Sequence, residues 1–342
     1  MTAAPLKPIN VAVIILNYQN APDTLVCLRA LAAMPLQPGQ IIVVDNNSAD
    51  SSVEQIMEGW RAFATPVLLW EKKHAAPSLP LDARHIAIKL SVNNGFSAGN
   101  NTGIRLALRD PDCAAVWLLN NDTAPMPDAL EKLCARLSLN PEAGLAGSTM
   151  VYAHDRFTVQ CAAGFSLSPW TGSAKFLQGG KKLHDVLATD PAPVEAALSC
   201  ITGASLLVRR NVLESVGLLP ESYFMYCEDT DYGILCARAG FSPAWAKESI
   251  VYHKEGGSSG TKNADGYSDF HRPEWVDYLN LRNRIYMMRK HYPRTLPLVL
   301  LSCLGVMGRR VRRGQANRLP LVCRAVLDGL RGRMGKPAGL LP

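Results

Sequence analysis

The 342-residue sequence is short of the features that mark secreted, disulfide-built or membrane-spanning chains. Its nine cysteines include no CxxC pair, and the odd total argues against a disulfide framework. Scattered buried thiols in a reducing compartment are the simpler expectation. The apolar run from Leu296 to Met307 has 12 residues and contains Pro297, too short to cross a bilayer. Near the start, Val11 to Leu16 is too short for a signal-peptide core, so the protein is expected in the cytoplasm. There is no internal repeat, and no low-complexity stretch beyond the Ala/Pro-rich loop from His74 to Asp82. Charged residues make up only 19% against 48% hydrophobic, which excludes a disordered chain and fits one large globular domain or two.

What charge there is lies unevenly. The net charge is +7, yet from Arg272 onward 15 Lys and Arg face 3 Asp and Glu, whereas residues 1–271 hold 21 against 26. Such a tail meets something anionic, a membrane surface or nucleic acid. No aromatic-basic interleaving supports nucleic acid. The apolar run before Arg309, Arg310, Arg312 and Arg313 suits an anchor at an anionic lipid surface. The alternative is an ordinary packed helix with a solvated basic face.

Hydrophobic patterning predicts alternating strands and helices. Val11 to Leu16, Ile41 to Val44, Val67 to Trp70, Ile86 to Val92 and Ala114 to Leu119 read as strands buried on both faces. Leu25, Leu28 and Leu31, then Val53, Ile56, Met57 and Trp60, recur at helical spacing, and a further helix is predicted from about Ala98 to Leu108. This alternation predicts an α/β fold with a mostly parallel sheet. Ligands then sit beyond the carboxyl ends of the strands, where Asn17, Asp45, Asn93 and Asp122 fall. From Gly147 to Ser199 the periodicity weakens to short strands and loops. Regularity returns with Ile201 to Arg210 and Tyr223 to Gly240.

Four places carry candidate chemistry. Asp122, just past a strand and two residues after Asn120, can hold a hard divalent cation whose shell substrate phosphates complete; it can equally be a helix N-cap. Glu228-Asp229-Thr230-Asp231 packs three carboxylates into four residues, so mutual repulsion should raise at least one pKa and create a general base. On composition alone a solvated acidic turn at a helix start is the plainer reading. His253 can join a metal as neutral imidazole or serve a structural role, and the Gly/Ser-rich stretch behind it offers backbone N–H groups to phosphate. Gly95 and Gly99, at a helix entry, allow close approach to a diphosphate, although they do not form a GxGxxG fingerprint.

Taken together, these segments resemble glycosyltransferase family 2, particularly its bacterial rhamnosyltransferase-like branch. The matching pieces run in order: Val11 to Tyr18, Val43-Val44-Asp45-Asn46-Asn47-Ser48, Asn94-Gly95-Phe96-Ser97-Ala98-Gly99-Asn100-Asn101, Leu118-Leu119-Asn120-Asn121-Asp122, Thr202-Gly203-Ala204 with Leu207 to Arg210, and Glu228 to Asp231. The resemblance spans roughly residues 9–260. It implies a GT-A fold: a catalytic domain over 1–270, with 1–125 the nucleotide-sugar half and 126–270 the acceptor half, and a basic, partly apolar helical region over 271–342.

By the same resemblance, Tyr18 and Asp45 would contact the base and ribose of the donor, with Asn17, Asn94, Gly95, Asn101 and Asn121 completing the donor site. Asp122 would bind Mg²⁺ or Mn²⁺, helped by His253 and by Asn120, which stands where many members carry the first Asp of a DxD-type motif. Asp229 would be the catalytic base of an inverting transfer. The donor would be a nucleoside-diphosphate sugar of UDP or dTDP type, with rhamnose as the sugar, and the acceptor a glycan or glycolipid, reached from the cytoplasmic face of the membrane. The alternatives are a nucleotidyltransferase, whose Gly-rich basic loop has no counterpart at Leu16 to Asn20, and a catalytically silent nucleotide-sugar-binding protein.

Overall fold

The computed structural model describes residues 5–64, 67–71, 83–254 and 273–340. The loop from His74 to Asp82 and the Gly/Ser-rich stretch after Lys254 lie outside the described residues. The first half alternates as the pattern predicts: β1 (Val11–Asn17), α1 (Ala21–Ala32), β2 (Gln40–Asp45), α2 (Ser52–Arg61), β3 (Val67–Glu71), β4 (His85–Lys89), α3 (Phe96–Ala107) and β5 (Ala115–Asn120). β4 stops at Lys89, short of Val92, because its partner β2 ends at the paired residue Asp45.

These five strands are mutually parallel in the order β3-β4-β2-β1-β5. The period of two along a strand splits β1 between two cores. Val11, Val13 and Ile15 pack with α1 and α2, while Ala12 and Ile14 pack on the opposite side with α3. Gly99 and Gly103 let α3 lie close on β1, since a Cβ at either position would collide with Leu16 or Ile14.

The second half comprises β6 (Thr123–Pro125), α4 (Ala129–Leu139), β7 (Ala143–Tyr152), β8 (Val159–Ala162), β9 (Gly164–Leu167), β10 (Ala174–Phe176), α5 (Leu183–Ala188), α6 (Pro191–Ala197), β11 (Cys200–Ile201), β12 (Ser205–Arg209), α7 (Arg210–Ser215), α8 (Glu228–Arg238) and β13 (Ser242–His253). The sheet continues from β5 through β12, β7 and β13 to β6. β12 runs antiparallel to both β5 and β7, so the sheet is mixed. β9, β10 and β11 form a separate small sheet.

β7 and β13 are long strands that hydrophobic patterning misses, because polar residues interrupt them in mid-sheet. Those polar groups satisfy one another in the core. Ser148 Oγ lies 2.8 Å from Ser205 Oγ and 2.9 Å from Ser249 Oγ. The Trp117 indole N–H donates to Ser205 at 3.0 Å, and Trp245 donates to Thr149 at 3.0 Å. A buried polar group with a partner costs little, whereas an orphaned one costs its desolvation.

α9 (Glu274–His291), α10 (Leu296–Arg312) and α11 (Leu319–Arg331) complete the chain. α9 and α11 share a core with Tyr223, Phe224 and Ile234 from the second half, including Leu279, Ile285, Val322 and Ala325. All nine cysteines are free, and seven are buried. Burial pushes the Cys27 and Cys134 thiols up to about 12, which keeps them protonated and inert.

Ser205→Ala should destabilise the fold by about 1–3 kcal/mol, because it orphans the buried Trp117 indole N–H. Urea unfolding measures this, and an unchanged midpoint would show that the serine seam contributes nothing.

Candidate active site

The carboxyl edge of the parallel strands is knit by polar side chains. Asn17 Nδ2 donates to Asp45 Oδ1 at 2.8 Å, and the Asn17 carbonyl oxygen accepts from Thr24 Oγ1 at 2.8 Å. Asp45 also takes the Ser48 hydroxyl at 2.6 Å and the Ser48 N–H at 2.9 Å. Asn121 Nδ2 donates to Thr24 Oγ1 at 3.1 Å and so joins the same cluster. Asn17 and Asp45 are buried in this network, and Tyr18 is exposed beside it at 38%. Gln19 (φ 52°) and Asn47 (φ 61°) take the left-handed turns that end β1 and β2.

Asn93, absent from the expected donor set, organises the next loop. Its side-chain oxygen accepts from Asn46 Nδ2 at 2.9 Å and from the Gly95 N–H at 3.0 Å. Asn94 is exposed. Asn101 was expected at the donor, but the structure uses its amide elsewhere. Its Nδ2 donates to Leu219 O and Glu221 Oε1, both at 2.8 Å, and its oxygen takes the Leu219 N–H at 3.1 Å. Asn101 therefore staples α3 to the segment leading into α8. A period-based reading cannot see a staple to a residue 118 positions away.

Asp122 is no helix cap; that position before α4 belongs to Asp128. The antiparallel pairing of β6 with β13 sets Thr123 opposite His253. His253 Nε2 thereby reaches Asp122 Oδ1 at 3.2 Å, with both side chains only 10% exposed. His253 Nδ1 lies 2.8 Å from Gln160 Oε1. Gln160 Oε1 accepts from Nδ1, which fixes the ring and leaves Nε2 facing Asp122. Asn120 ends β5, with its N–H on Ala204 O at 3.0 Å and its carbonyl on Thr123 Oγ1 at 2.6 Å, which shapes the turn that delivers Asp122.

One carboxylate and one oriented imidazole fit a divalent cation that takes its other ligands from phosphate and water. Among the described residues no group of three or more His, Cys, Asp and Glu side chains gathers for a metal.

The acidic segment opens α8, and its three carboxylates have different fates. Asp231 is fully buried. It accepts from Lys290 Nζ at 2.9 Å and His291 Nε2 at 2.8 Å, and from the Tyr223 hydroxyl. Burial alone would raise its pKa, but the bonds from His291, Tyr223 and Lys290 outweigh it and hold Asp231 below the usual carboxylate range. The expected repulsion among three carboxylates is therefore confined to two, since Asp231 is engaged by Lys290 and His291 of α9.

Glu228 is buried, and among the described residues its Oε2 has no hydrogen-bond partner. Burial first, and the neighbouring Asp229 second, push its pKa up to about 8. Burial also raises Asp229, against the opposing bonds from Gly203 and Thr230. Asp229 Oδ2 accepts the Gly203 N–H at 3.3 Å, and Oδ1 accepts the Thr230 N–H at 2.7 Å and hydroxyl at 3.2 Å. With those donors around Asp229, and none from the described residues on Glu228 Oε2, a proton shared by the pair favours Glu228.

Segment 202–204 joins the two centres. Ala204 O holds Asn120, two residues before Asp122, while the adjacent Gly203 N–H holds Asp229. Gly203, Gln160 and Ser48 are site residues that the sequence reading did not single out, and only Gly203 and Ser48 lay within segments it quoted.

Unfolded, Glu228 ionises near 4.5, and folded, near 8, so between these values the native state holds a proton that the unfolded state has lost. Native stability contributed by this group therefore falls as pH rises across that window. Glu228→Gln should gain on the native protein in urea unfolding as pH climbs from about 5 to about 8. A constant difference would show an ordinary, ionised Glu228.

Comparison with known proteins gives this arrangement a context. An N-acetylglucosaminyl-diphospho-decaprenol L-rhamnosyltransferase of Mycobacterium tuberculosis is 22% identical over 332 residues, covering 91% of this chain and 97% of the relative. A mannosyltransferase from Pyrobaculum calidifontis, in complex with GDP-Man and Mn²⁺, is similar with a TM-score of 0.52 at 14% identity, over 96% of this chain and 90% of that one. A GalNAc-transferase solved with UDP, GalNAc and Mn²⁺ gives 0.55 at 10% identity, over 84% of this chain and 48% of the other. These likenesses bear out the expected α/β fold of GT-A type, with its large sheet flanked by helices and a helical C-terminal region. Residues 12–188, just over half of the sequence, match the model of glycosyl transferase family 2, and this chain belongs to that family.

Proposed function

We propose that the protein catalyses a single-displacement, inverting transfer of a sugar from a nucleoside-diphosphate donor of UDP or dTDP type to a glycan hydroxyl. The observation that carries this reading is segment 202–204, whose Ala204 carbonyl holds Asn120, two residues before Asp122, while its Gly203 N–H holds Asp229. Residues 1–125 would hold the donor and 126–270 the acceptor. The relative named as an N-acetylglucosaminyl-diphospho-decaprenol L-rhamnosyltransferase supports rhamnose as the sugar and a lipid-linked glycan as the acceptor. Family membership speaks against the nucleotidyltransferase alternative.

Asp122 and His253 would hold Mg²⁺ or Mn²⁺, as the Mn²⁺ in the two similar structures suggests. A bound cation supplies neutralisation of charge on the departing diphosphate. Asn17, Asp45 and Asn121 keep the strand ends rigid beneath Tyr18, which is exposed to meet the nucleotide, with Asn94 and Gly95 at the neighbouring loop. Asp229 takes the acceptor's proton while the acceptor oxygen attacks the anomeric carbon. The bond from that carbon to the diphosphate breaks, and the nucleoside diphosphate leaves with its electron pair. Gly203 and Thr230 fix the Asp229 carboxylate for this one task. Protonated Glu228 leaves that charge undisputed.

We also propose that the basic C-terminal region rests on an anionic membrane surface. Among the described residues no helix is long and apolar enough to cross a membrane. α10 instead exposes Leu298, Leu301, Leu304 and Val311 along one side, beside Arg309 and Arg312. α11 packs in the shared C-terminal core, so the exposed face of α10, and not the whole tail, is the anchoring surface.

Two variants divide binding from chemistry. Asp122→Ala should abolish Mn²⁺-dependent binding of UDP or dTDP in calorimetry. Asp229→Asn should leave that affinity within twofold and lower turnover about 10²–10⁴-fold. Metal-dependent binding that survives Asp122→Ala, or near-native turnover in Asp229→Asn, would sink the respective role, and a native protein that binds but never turns over would be the silent alternative.

For the membrane, Leu301→Glu with Leu304→Glu should release the protein from phosphatidylglycerol vesicles in flotation, and salt should weaken native binding. Equal flotation of the native protein on neutral vesicles would refute the electrostatic part.

A further inference from the structure

We propose that Asn283, fixed by Arg282, is a positioning residue for the transfer step: a clamp on α9 that holds the left-handed run before α8 and so aims Asp229. The inference rests on the reading of Asp229 as the base. It assigns a role to a helix that lies beyond the residues matched by the family model.

The run is improbable by itself. Phe224 (φ 67°), Tyr226 (φ 71°) and Cys227 (φ 70°) all take backbone conformations that bulky side chains avoid, and strain of this kind persists only where surroundings over-determine it. On one side the Phe96 N–H donates to Phe224 O at 2.6 Å. On the other side Asn283 Nδ2 collects three carbonyls, Tyr223 O at 3.3 Å, Met225 O at 2.7 Å and Tyr226 O at 2.9 Å.

Two N–H protons against three acceptors means that one is shared, so the carboxamide is saturated. Its orientation is set in turn. Arg282 Nε donates to Asn283 Oδ1 at 2.9 Å, while Nη2 reaches Tyr223 O at 3.1 Å and Nη1 reaches Gly335 O at 3.0 Å. Arg282 and Asn283 are essentially fully buried. The Tyr226 ring stacks on Trp275 at the start of α9, with centroids 6.5 Å apart. Cys227 then caps α8, and Glu228 and Asp229 follow at once. The Lys290 and His291 bonds to Asp231 tie the next turn of α8 to the far end of α9. The base is thus aimed from both of its flanks by one helix.

Asn283→Asp keeps the side chain's shape and its acceptor for Arg282 but removes both donors. Amide hydrogen exchange over residues 223–230 should speed up about tenfold or more, with 11–17 unchanged, because the carbonyl clamp is the local restraint. Turnover, read as nucleoside-diphosphate release, should fall about 30-fold or more while the Kd of UDP or dTDP with Mn²⁺ stays within twofold. Unchanged exchange overturns the clamp. Faster exchange with turnover within threefold of native, or affinity lost in step with turnover, overturns its positioning role. Should Asn283→Asp not fold, Arg282→Lys removes the fork that orients Asn283, and the same criteria apply. A native protein that turns over no donor defeats the transfer reading instead, and the exchange result then judges the clamp alone.

Discussion

A Cβ on Gly95 would fall well inside contact distance of the Phe224 carbonyl, and Gly95 itself sits at φ 96°. That close approach is the constraint on which the rest of the site depends. On one side of it stands the carboxyl edge of the parallel strands, where Asn93 accepts from the Gly95 N–H and Asn46 Nδ2 donates to the Gly95 carbonyl. On the other side stands the left-handed run that starts α8 and presents Glu228 and Asp229. Only glycine brings the two backbones together, both because it accepts the conformation and because it lacks the atom that would part them.

Three carboxylates in one short segment illustrate how position outranks composition. Asp231 faces α9 and finds a lysine, a histidine and a hydroxyl, so it is a structural charge. Asp229 faces segment 202–204 and finds N–H and hydroxyl donors, which oppose the upward push of burial. Glu228 faces a desolvated space, and its Oε2 finds nothing, so it keeps its proton near neutral pH. Removing one partner from the Asp231 cluster would leave a buried charge uncompensated, which costs about 3–5 kcal/mol. The basic C-terminal region therefore does more than supply positive surface: Lys290 and His291 are part of what holds α8.

The core of the large sheet carries a comparable lesson in polar groups. Ser148, Ser205 and Ser249 lie on three adjacent strands and meet in its middle, with Trp117 and Ala129 completing their bonds. None of these serines is explicable on its own strand. Each is affordable only because neighbouring strands deliver its partners at the same level.

The sequence by itself determined the strands and helices of the first half, because runs such as Val11 to Ile15 have one stable use, burial on both faces of a parallel sheet. It also marked Asp45, Asp122, Asp229 and His253 through ordered motifs at strand and helix ends. Tertiary structure alone decided what those residues do. The 3.2 Å approach of His253 to Asp122 depends on β6 pairing with β13, more than a hundred positions apart in the chain. The diversion of Asn101 into a staple, the quenching of Asp231 by α9 and the polar seam of β7 and β13 are likewise contacts between distant segments. Periodicity reports how one segment meets its environment; it carries no information about which other segment supplies the partner.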